Sequence, residues 1–199
     1  MKPFAESSEQ NKHAILEILE REFAQSRAVL EIGSGTGQHA VFFAQQLPHL
    51  QWHASDVTDS LAGITLWLSD YAGHNLSGPY SLDVTQSDWP PLEVDAVFSA
   101  NTAHIMHWPA VQAMFTGVGQ LLPCGGRFCL YGPFNYHGAY SSDSNARFDD
   151  WLKARDPASG VRDLDDLSLV AVDAGLHLVR DHSMPINNRI LVWEKRGAL

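Results

Sequence analysis

Only two cysteines occur in this chain, Cys124 and Cys129, and they do not form a C-x-x-C pair. A disulfide framework and a thiolate metal knuckle are therefore both excluded, and two free thiols in a reducing compartment are expected. Lys and Arg total 13 against 23 Asp and Glu, for a formal net charge of −10, and no basic run appears. A protein that replaces the counterions of a duplex or a long RNA needs a basic stripe, so no nucleic-acid partner is expected. No apolar stretch reaches the roughly 20 residues that cross a bilayer, and the opening MKPFAESSEQNK lacks a signal-peptide core. A cytoplasmic chain with no membrane partner is the expectation. Repeats, linkers and low-complexity segments are missing too. What remains is one domain over residues 1–199, of 45% hydrophobic and 18% charged composition, while the oligomeric state is left open.

Apolar runs alternate with helical patterns along most of the chain. Ser7 and Ser8 precede NKHAILEILEREFAQ, in which Ile15, Leu16, Ile18, Leu19 and Phe23 share one helical face. Residues 1–25 form a helical N-terminal segment and a candidate lid. AVLEI (28–32) leads to HAVFFAQQL (39–47), and QWHAS (51–55) leads to LAGITLWLSDY (61–71). Tyr80–Leu82 is a weaker strand signal, followed by AVFSA (96–100), a helix over 109–122 and GRFCLYG (126–132). Strands that are apolar throughout and alternate with helices imply a parallel sheet covered on both faces. Two further helices, 144–156 and 163–175, precede LHLVRDHSM (176–184) and RILVWEK (189–195), which read as an antiparallel hairpin.

The densest chemical signal is AVLEIGSGTGQHA at 28–40. Gly33, Gly35 and Gly37 clear side chains from a strand-to-helix turn whose unpaired N–H groups favour a polar or anionic ligand group. The dinucleotide fingerprint GxGxxG would place its third glycine at position 38, which is Gln38. The observed Glu-x-Gly-x-Gly-x-Gly from Glu31 is the spacing of S-adenosylmethionine (SAM) methyltransferases. Asp56 ends the next strand, where a carboxylate can accept both ribose hydroxyls. Asp83 can accept the exocyclic amine of adenine, and Val84 offers an apolar edge. Ser34 and Val57 complete the expected cofactor set, with Asn101 at its margin.

LEIGSGTGQHA, then SDV, LDV, NTAHIMHW, LYGPF, SNARFD, GVRD and MPINN together resemble the domain-of-unknown-function 938 family, the group that includes methyltransferase-like protein 26. The match runs from about Glu9 to the final strand. The resemblance implies a Rossmann-like class I SAM-dependent methyltransferase fold, a mostly parallel seven-stranded sheet with its last strand antiparallel. It names no substrate. Alanine is expected where Gly33 and Ile186 stand.

In an open α/β sheet the ligand lies beyond the carboxyl ends of the strands, so the loops there are the ones to read. Asn101 could hold the methionine part of SAM or a substrate group, and His104 is the best general-base candidate. His107 is more simply a capping residue, and no third ligand completes a metal site with this pair. Tyr131, Phe134 and Tyr136 could wall a substrate pocket, and Arg147 or Arg162 could clamp an anionic group unless paired to a neighbouring Asp. Asn187 and Asn188 suit left-handed turn positions at the pocket's edge. Asn11 and Lys12 could close over it. The resulting expectation is methyl transfer from SAM to a small polar or anionic metabolite, leaving S-adenosylhomocysteine. A SAM-binding module without catalysis and a nicotinamide oxidoreductase are the alternatives.

Overall fold

The computed structural model describes residues 2–197; Met1, Ala198 and Leu199 of the expected 1–199 domain lie outside the described residues. Seven strands form one sheet in the order β3-β2-β1-β4-β5-β9-β8. Strands β1 (Ala28–Ile32), β2 (Gln51–Asp56), β3 (Leu76–Ser81), β4 (Ala96–Ala100) and β5 (Arg127–Gly132) are parallel. Strand β9 (Arg189–Lys195) runs antiparallel to both β5 and β8 (Leu176–Ser183), so β8 points the same way as β5. The carboxyl ends of β1, β4, β5 and β8 therefore open on one edge. Strand order reverses at β1, which leaves a crevice between β1 and β4.

Alternate residues of each strand enter two separate cores. Val29, Trp52, Phe98, Cys129 and Val192 pack with Phe43 and Leu19 on one face; Leu30, Val97, Phe128, Leu191 and Trp193 pack with Phe115 and Leu167 on the other. The first core lies under α1 (Glu6–Glu22), α2 (Gln38–Gln46) and α3 (Leu61–Leu68). The second lies under α4 (Trp108–Leu121) and α6 (Leu164–Asp173). Trp52, Phe43, Phe98 and Trp193 are wholly buried, and each such side chain contributes about 1.5–3 kcal/mol on leaving water. A short pairing of β6 (Phe134–Asn135) with β7 (Arg162–Asp163), and α5 (Asp143–Arg155), complete the chain.

Two elements differ from expectation. Strand β3 begins at Leu76, earlier than the Tyr80 signal, because Gly78 and Pro79 break its apolar pattern. Both residues are tolerated on an edge strand, and a Cβ on Gly78 would meet the Ala54 carbonyl at 2.5 Å. Helix α1 begins at Glu6, ahead of Ser7 and Ser8, with no side-chain cap. Its start is fixed from outside, since the Ala5 N–H donates to Gln38 Oε1 at 2.6 Å. At its other end Glu22 is buried and accepts from Arg127 Nη1 (2.9 Å) and Arg180 Nε (2.7 Å), with His182 Nε2 at 2.9 Å. Burial pushes the Glu22 pKa up, but the bonds from Arg180 and His182 outweigh it and hold the carboxyl below its ordinary value. Helix α1 is thus tied to the sheet at one end and to the glycine turn at the other.

Candidate functional site

The crevice at the switch point is a cleft of about 460 Å³, floored by the turn after β1 and walled by the loop after β4. Gly33 (φ +74°) and Gly35 (φ +60°) are both left-handed. A Cβ at Gly33 would stand 2.6 Å from Thr102 Cγ2, so the close approach of the β1 and β4 loops requires glycine. The alanine expected there from the family pattern would not fit this packing. Around Gly35 nothing lies within 4 Å of an added Cβ, leaving its backbone open to a ligand.

The turn is held by a compact polar network. Gly33 and Ser34 N–H groups donate to the Ser55 carbonyl at 3.0 and 2.9 Å. Ser34 Oγ and Trp52 Nε1 both donate to Glu31 Oε2 at 3.0 Å. Glu31 is 2% exposed, and burial raises its pKa to about 7. Its position is below the turn, among Ser34 and Trp52, and it does not line the cleft. The period of two along β1 explains this, since Glu31 faces the same side as Val29 and hence the core beneath α1 and α2.

Asp56 lines the cleft. Its Oδ2 accepts the Gly35 N–H at 2.7 Å and its Oδ1 accepts the Val57 N–H at 2.8 Å. An ionised carboxylate has about four acceptor positions, so two bonds fix its plane and leave room for a diol. Gly33, Ser34, Val57 and Asn101 also line the cleft, whereas Gly37 caps α2 behind it. Asp83 and Val84 do not line it. Asp83 Oδ1 accepts the Thr85 N–H (2.9 Å) and Oγ1–H (2.7 Å), which hold its pKa below the ordinary value, while Val84 is buried in the second core.

Beside the cleft, sharing Asn101 and Ser7 with it, lies a cavity of about 130 Å³. Asn11, Tyr131 and Asn188 line it, joined by Gln10, Pro185 and Ile186. Asn101 adopts φ +58°, a left-handed conformation that its short polar side chain tolerates, and its N–H donates to the Tyr131 carbonyl at 2.9 Å. Asn188 Nδ2 donates to Tyr131 Oη at 3.0 Å. The link Pro185–Asn188 is a tight turn closed by the Asn188 N–H to the Pro185 carbonyl at 3.3 Å, with Ile186 (φ +57°) and Asn187 (φ +58°) at its centre. The left-handed positions thus fall on Ile186 and Asn187, one residue earlier than on Asn187 and Asn188. A β-branched residue in this region is strained by about 1–3 kcal/mol.

His39 lines the cleft and was not anticipated; it sits one helical step inside α2, among apolar neighbours that mask it in sequence. Its Nε2 lies 2.8 Å from Asn11 Oδ1 and its ring stacks on Phe43. Burial lowers its pKa to about 4. Ala5, Ser8, Thr102, Ile105 and Met106 also contribute walls.

Several expected residues are placed elsewhere. His104 is 5% exposed, packs edge-on to Phe148 and lines neither space; burial, then the Arg162 charge, lowers its pKa to about 4. A ring so enclosed is packing, and it is a weak proton acceptor at neutral pH. His107 pairs with Asp156 at 2.7 Å. Arg162 donates to the carbonyls of Ala103 (3.0 Å), Met106 and Ala158 (3.0 Å), so it pins the β4 loop in place of clamping a substrate. Its partners are carbonyls and not the neighbouring carboxylates. Phe134 is buried in the second core. Tyr136 donates to Asp181 Oδ2 at 2.8 Å, Lys12 pairs with Glu9, and Arg147 is exposed on α5 outside both spaces. Asn187 Nδ2 donates to Ser144 Oγ at 3.0 Å.

The fold is shared with known methyltransferases. An O-methyltransferase family protein from Burkholderia thailandensis superposes with a TM-score of 0.81 at 13% identity, over 94% of this chain and 57% of that one. PigF, whose structure holds S-adenosylhomocysteine, gives 0.76 at 20% identity over 89% and 53%. Human N-acetylserotonin methyltransferase in complex with SAM gives 0.73 at 12% identity over 94% and 55%. The chain spans little more than half the length of each of these proteins. These likenesses establish the class I SAM-dependent methyltransferase fold. A family model described as "Protein of unknown function (DUF938)" matches residues 2–195, and the chain belongs to that family.

Proposed function

We propose that the protein is a SAM-dependent methyltransferase whose acceptor is a small molecule bound beside Asn101. The observation that carries this reading is the Asp56 carboxylate, fixed by the Gly35 and Val57 N–H groups at the mouth of a glycine-lined cleft. The donor set fits a nucleoside: an acceptor for two ribose hydroxyls, an open backbone at Gly35, and apolar surface from Val57, Ile105 and Met106. Bound SAM supplies an electrophilic methyl on a sulfonium sulfur. The chain's part is to hold and orient the two reactants and to exclude water, which is the main requirement of such a displacement.

Among the described residues, the walls of the cleft and the adjoining cavity carry Asp56 and no lysine or arginine. That set supports an uncharged polar acceptor over the anionic one that the arginines had suggested. Titration with SAM before and after Asp56→Ala tests the assignment. Losing a charged acceptor costs about 1.5–3 kcal/mol, so affinity should fall roughly 10- to 150-fold. Equal affinity in the two proteins would remove Asp56 from the site.

A further inference from the structure

Two features of the smaller cavity limit the chemistry of its occupant, given the methyltransferase reading. The first is its proton inventory. Cavity and cleft walls hold asparagines, Gln10, serines, threonines, Tyr131, Asp56 and His39 as their polar groups. Asp56 lines the cleft and not the smaller cavity; two backbone N–H groups hold it, and its remaining acceptor positions are the ones assigned to the ribose hydroxyls. His39 is tied to Asn11 and is kept neutral by burial down to about pH 4. Burial likewise raises the Tyr131 pKa above its ordinary value, so the phenol keeps its proton. Among the described wall residues none is placed to take a proton from an alcohol, and none is a carboxylate facing the smaller cavity to receive an alkylammonium.

The second feature is the direction of the Tyr131 hydroxyl. Its oxygen accepts Asn188 Nδ2 at 3.0 Å. With the Asn188 amide donating to the oxygen, the phenolic hydrogen is left to donate, and Tyr131 lines the cavity. An occupant that presents negative charge or a lone pair to that hydrogen is favoured. A volume of about 130 Å³ is close to that of a cavity known to admit benzene, roughly 150 Å³, so the reacting end of the molecule is compact.

We propose that the acceptor is a small uncharged thiol, methylated as its thiolate, with the Tyr131 O–H as the group that holds the sulfur. Of a thiol, an alcohol and an alkylammonium, the thiol is the one that sheds its proton to water near neutrality, at a pKa of about 8.5 against about 10.4 for the alkylammonium. The thiol proton passes to solvent. The thiolate sulfur then forms a bond to the sulfonium methyl carbon as the old carbon–sulfur bond breaks. The bonding pair stays on the sulfur of S-adenosylhomocysteine, and the product is a neutral thioether. Removal of water around two opposite charges strengthens their attraction as they meet.

The test uses the purified protein with SAM and three matched sets of compounds: thiophenol, benzyl mercaptan and 2-mercaptoethanol; phenol, benzyl alcohol and ethylene glycol; and benzylamine. S-adenosylhomocysteine formation is followed while SAM binding is measured calorimetrically on the same samples. The expected result is thiol turnover at least 100-fold above the matched alcohols and amine, with a kcat/KM inflection in pH that moves with the pKa of each thiol. An independent readout is the ultraviolet thiolate band on mixing thiophenol with protein saturated in S-adenosylhomocysteine. It should appear at lower pH than for free thiophenol, and Tyr131→Phe should abolish that shift while SAM affinity stays within twofold. An inflection fixed whatever the thiol, or equal turnover of an alcohol or the amine, would overturn the proposal. Absence of thiol turnover with SAM bound would overturn the thiol assignment alone, whereas absence of SAM binding would overturn the methyltransferase reading with it.

Discussion

Gln38 Nε2 donates to Glu9 Oε1 at 2.7 Å, across the boundary between the glycine turn and the N-terminal helix. The same amide's oxygen accepts the Ala5 N–H at 2.6 Å and Thr36 Oγ1–H at 2.9 Å. Gln38 occupies the position where a dinucleotide fold keeps a glycine for close helix–strand packing. Here the side chain is used to fasten residues 5–9 over the cleft, whose walls include Ala5, Ser7 and Ser8.

That fastening makes a kinetic prediction. Gln38→Ala removes three bonds from one buried amide, each with a net value of about 0.5–1.5 kcal/mol. The N-terminal segment should open more often, and SAM dissociation measured by stopped flow should accelerate roughly tenfold or more. Unchanged dissociation would show that residues 5–9 do not retain the ligand.

A second prediction concerns the contact between Gly33 and Thr102. Gly33→Ala puts a Cβ 2.6 Å from Thr102 Cγ2 and should weaken SAM binding at least tenfold. Thr102→Ser deletes that methyl and keeps the hydroxyl that lies 2.7 Å from Ser99 Oγ. The double variant should recover part of the loss, the left-handed strain at φ +74° remaining. Identical affinities for the single and double variants would mean that the methyl contact is not the cause.

The buried histidine predicts a pH dependence of stability. His104 has a folded pKa of about 4 against an ordinary 6.5, so on acidification the unfolded chain takes up the proton first. Stability present above pH 6.5 is therefore lost as pH falls towards 4, with a ceiling of about 3 kcal/mol. His39 acts in the same direction, and Glu31, raised to about 7, acts in the opposite one between its ordinary value and 7. Urea denaturation at pH 7 and pH 4.5 should show a smaller loss for His104→Gln than for the unsubstituted protein. Parallel losses would place the histidine in water.

Ile186 predicts a trade between stability and fit. It is 75% exposed with φ +57° at the rim of the smaller cavity. Ile186→Asn suits the left-handed position and should stabilise the protein by about 1 kcal/mol, read as a higher urea midpoint. It also replaces an apolar rim, so acceptor KM should rise with kcat held. A lower midpoint would contradict the strain assigned to this residue.

Most of the fold was legible because continuous apolar strands and 3.6-residue helical faces are local signals. Residues 28–32 and 189–195 were readable for that reason, and Leu76–Ser81 was obscured by Gly78 and Pro79. The cleft residues were readable where backbone geometry dictates residue type, as at Gly33, Gly35 and Asp56. Side-chain direction was not. Glu31 and Asp56 are both acids at strand ends, yet one turns to Trp52 and the other to the cleft. Arg162 finds carbonyls 56 and 59 residues away, a relationship that no spacing encodes. His39 became visible only when α1 closed over α2 and brought Asn11 to its ring.

The central claim, that the cleft between Gly33 and Asn101 takes S-adenosylmethionine, is tested most directly by isothermal titration of the unsubstituted protein with SAM and with S-adenosylhomocysteine. Saturable binding of both, one ligand per chain, is the predicted result, with no fluorescence enhancement of NADH on mixing. No binding of either ligand at millimolar concentration, or saturable enhancement of NADH, would contradict it.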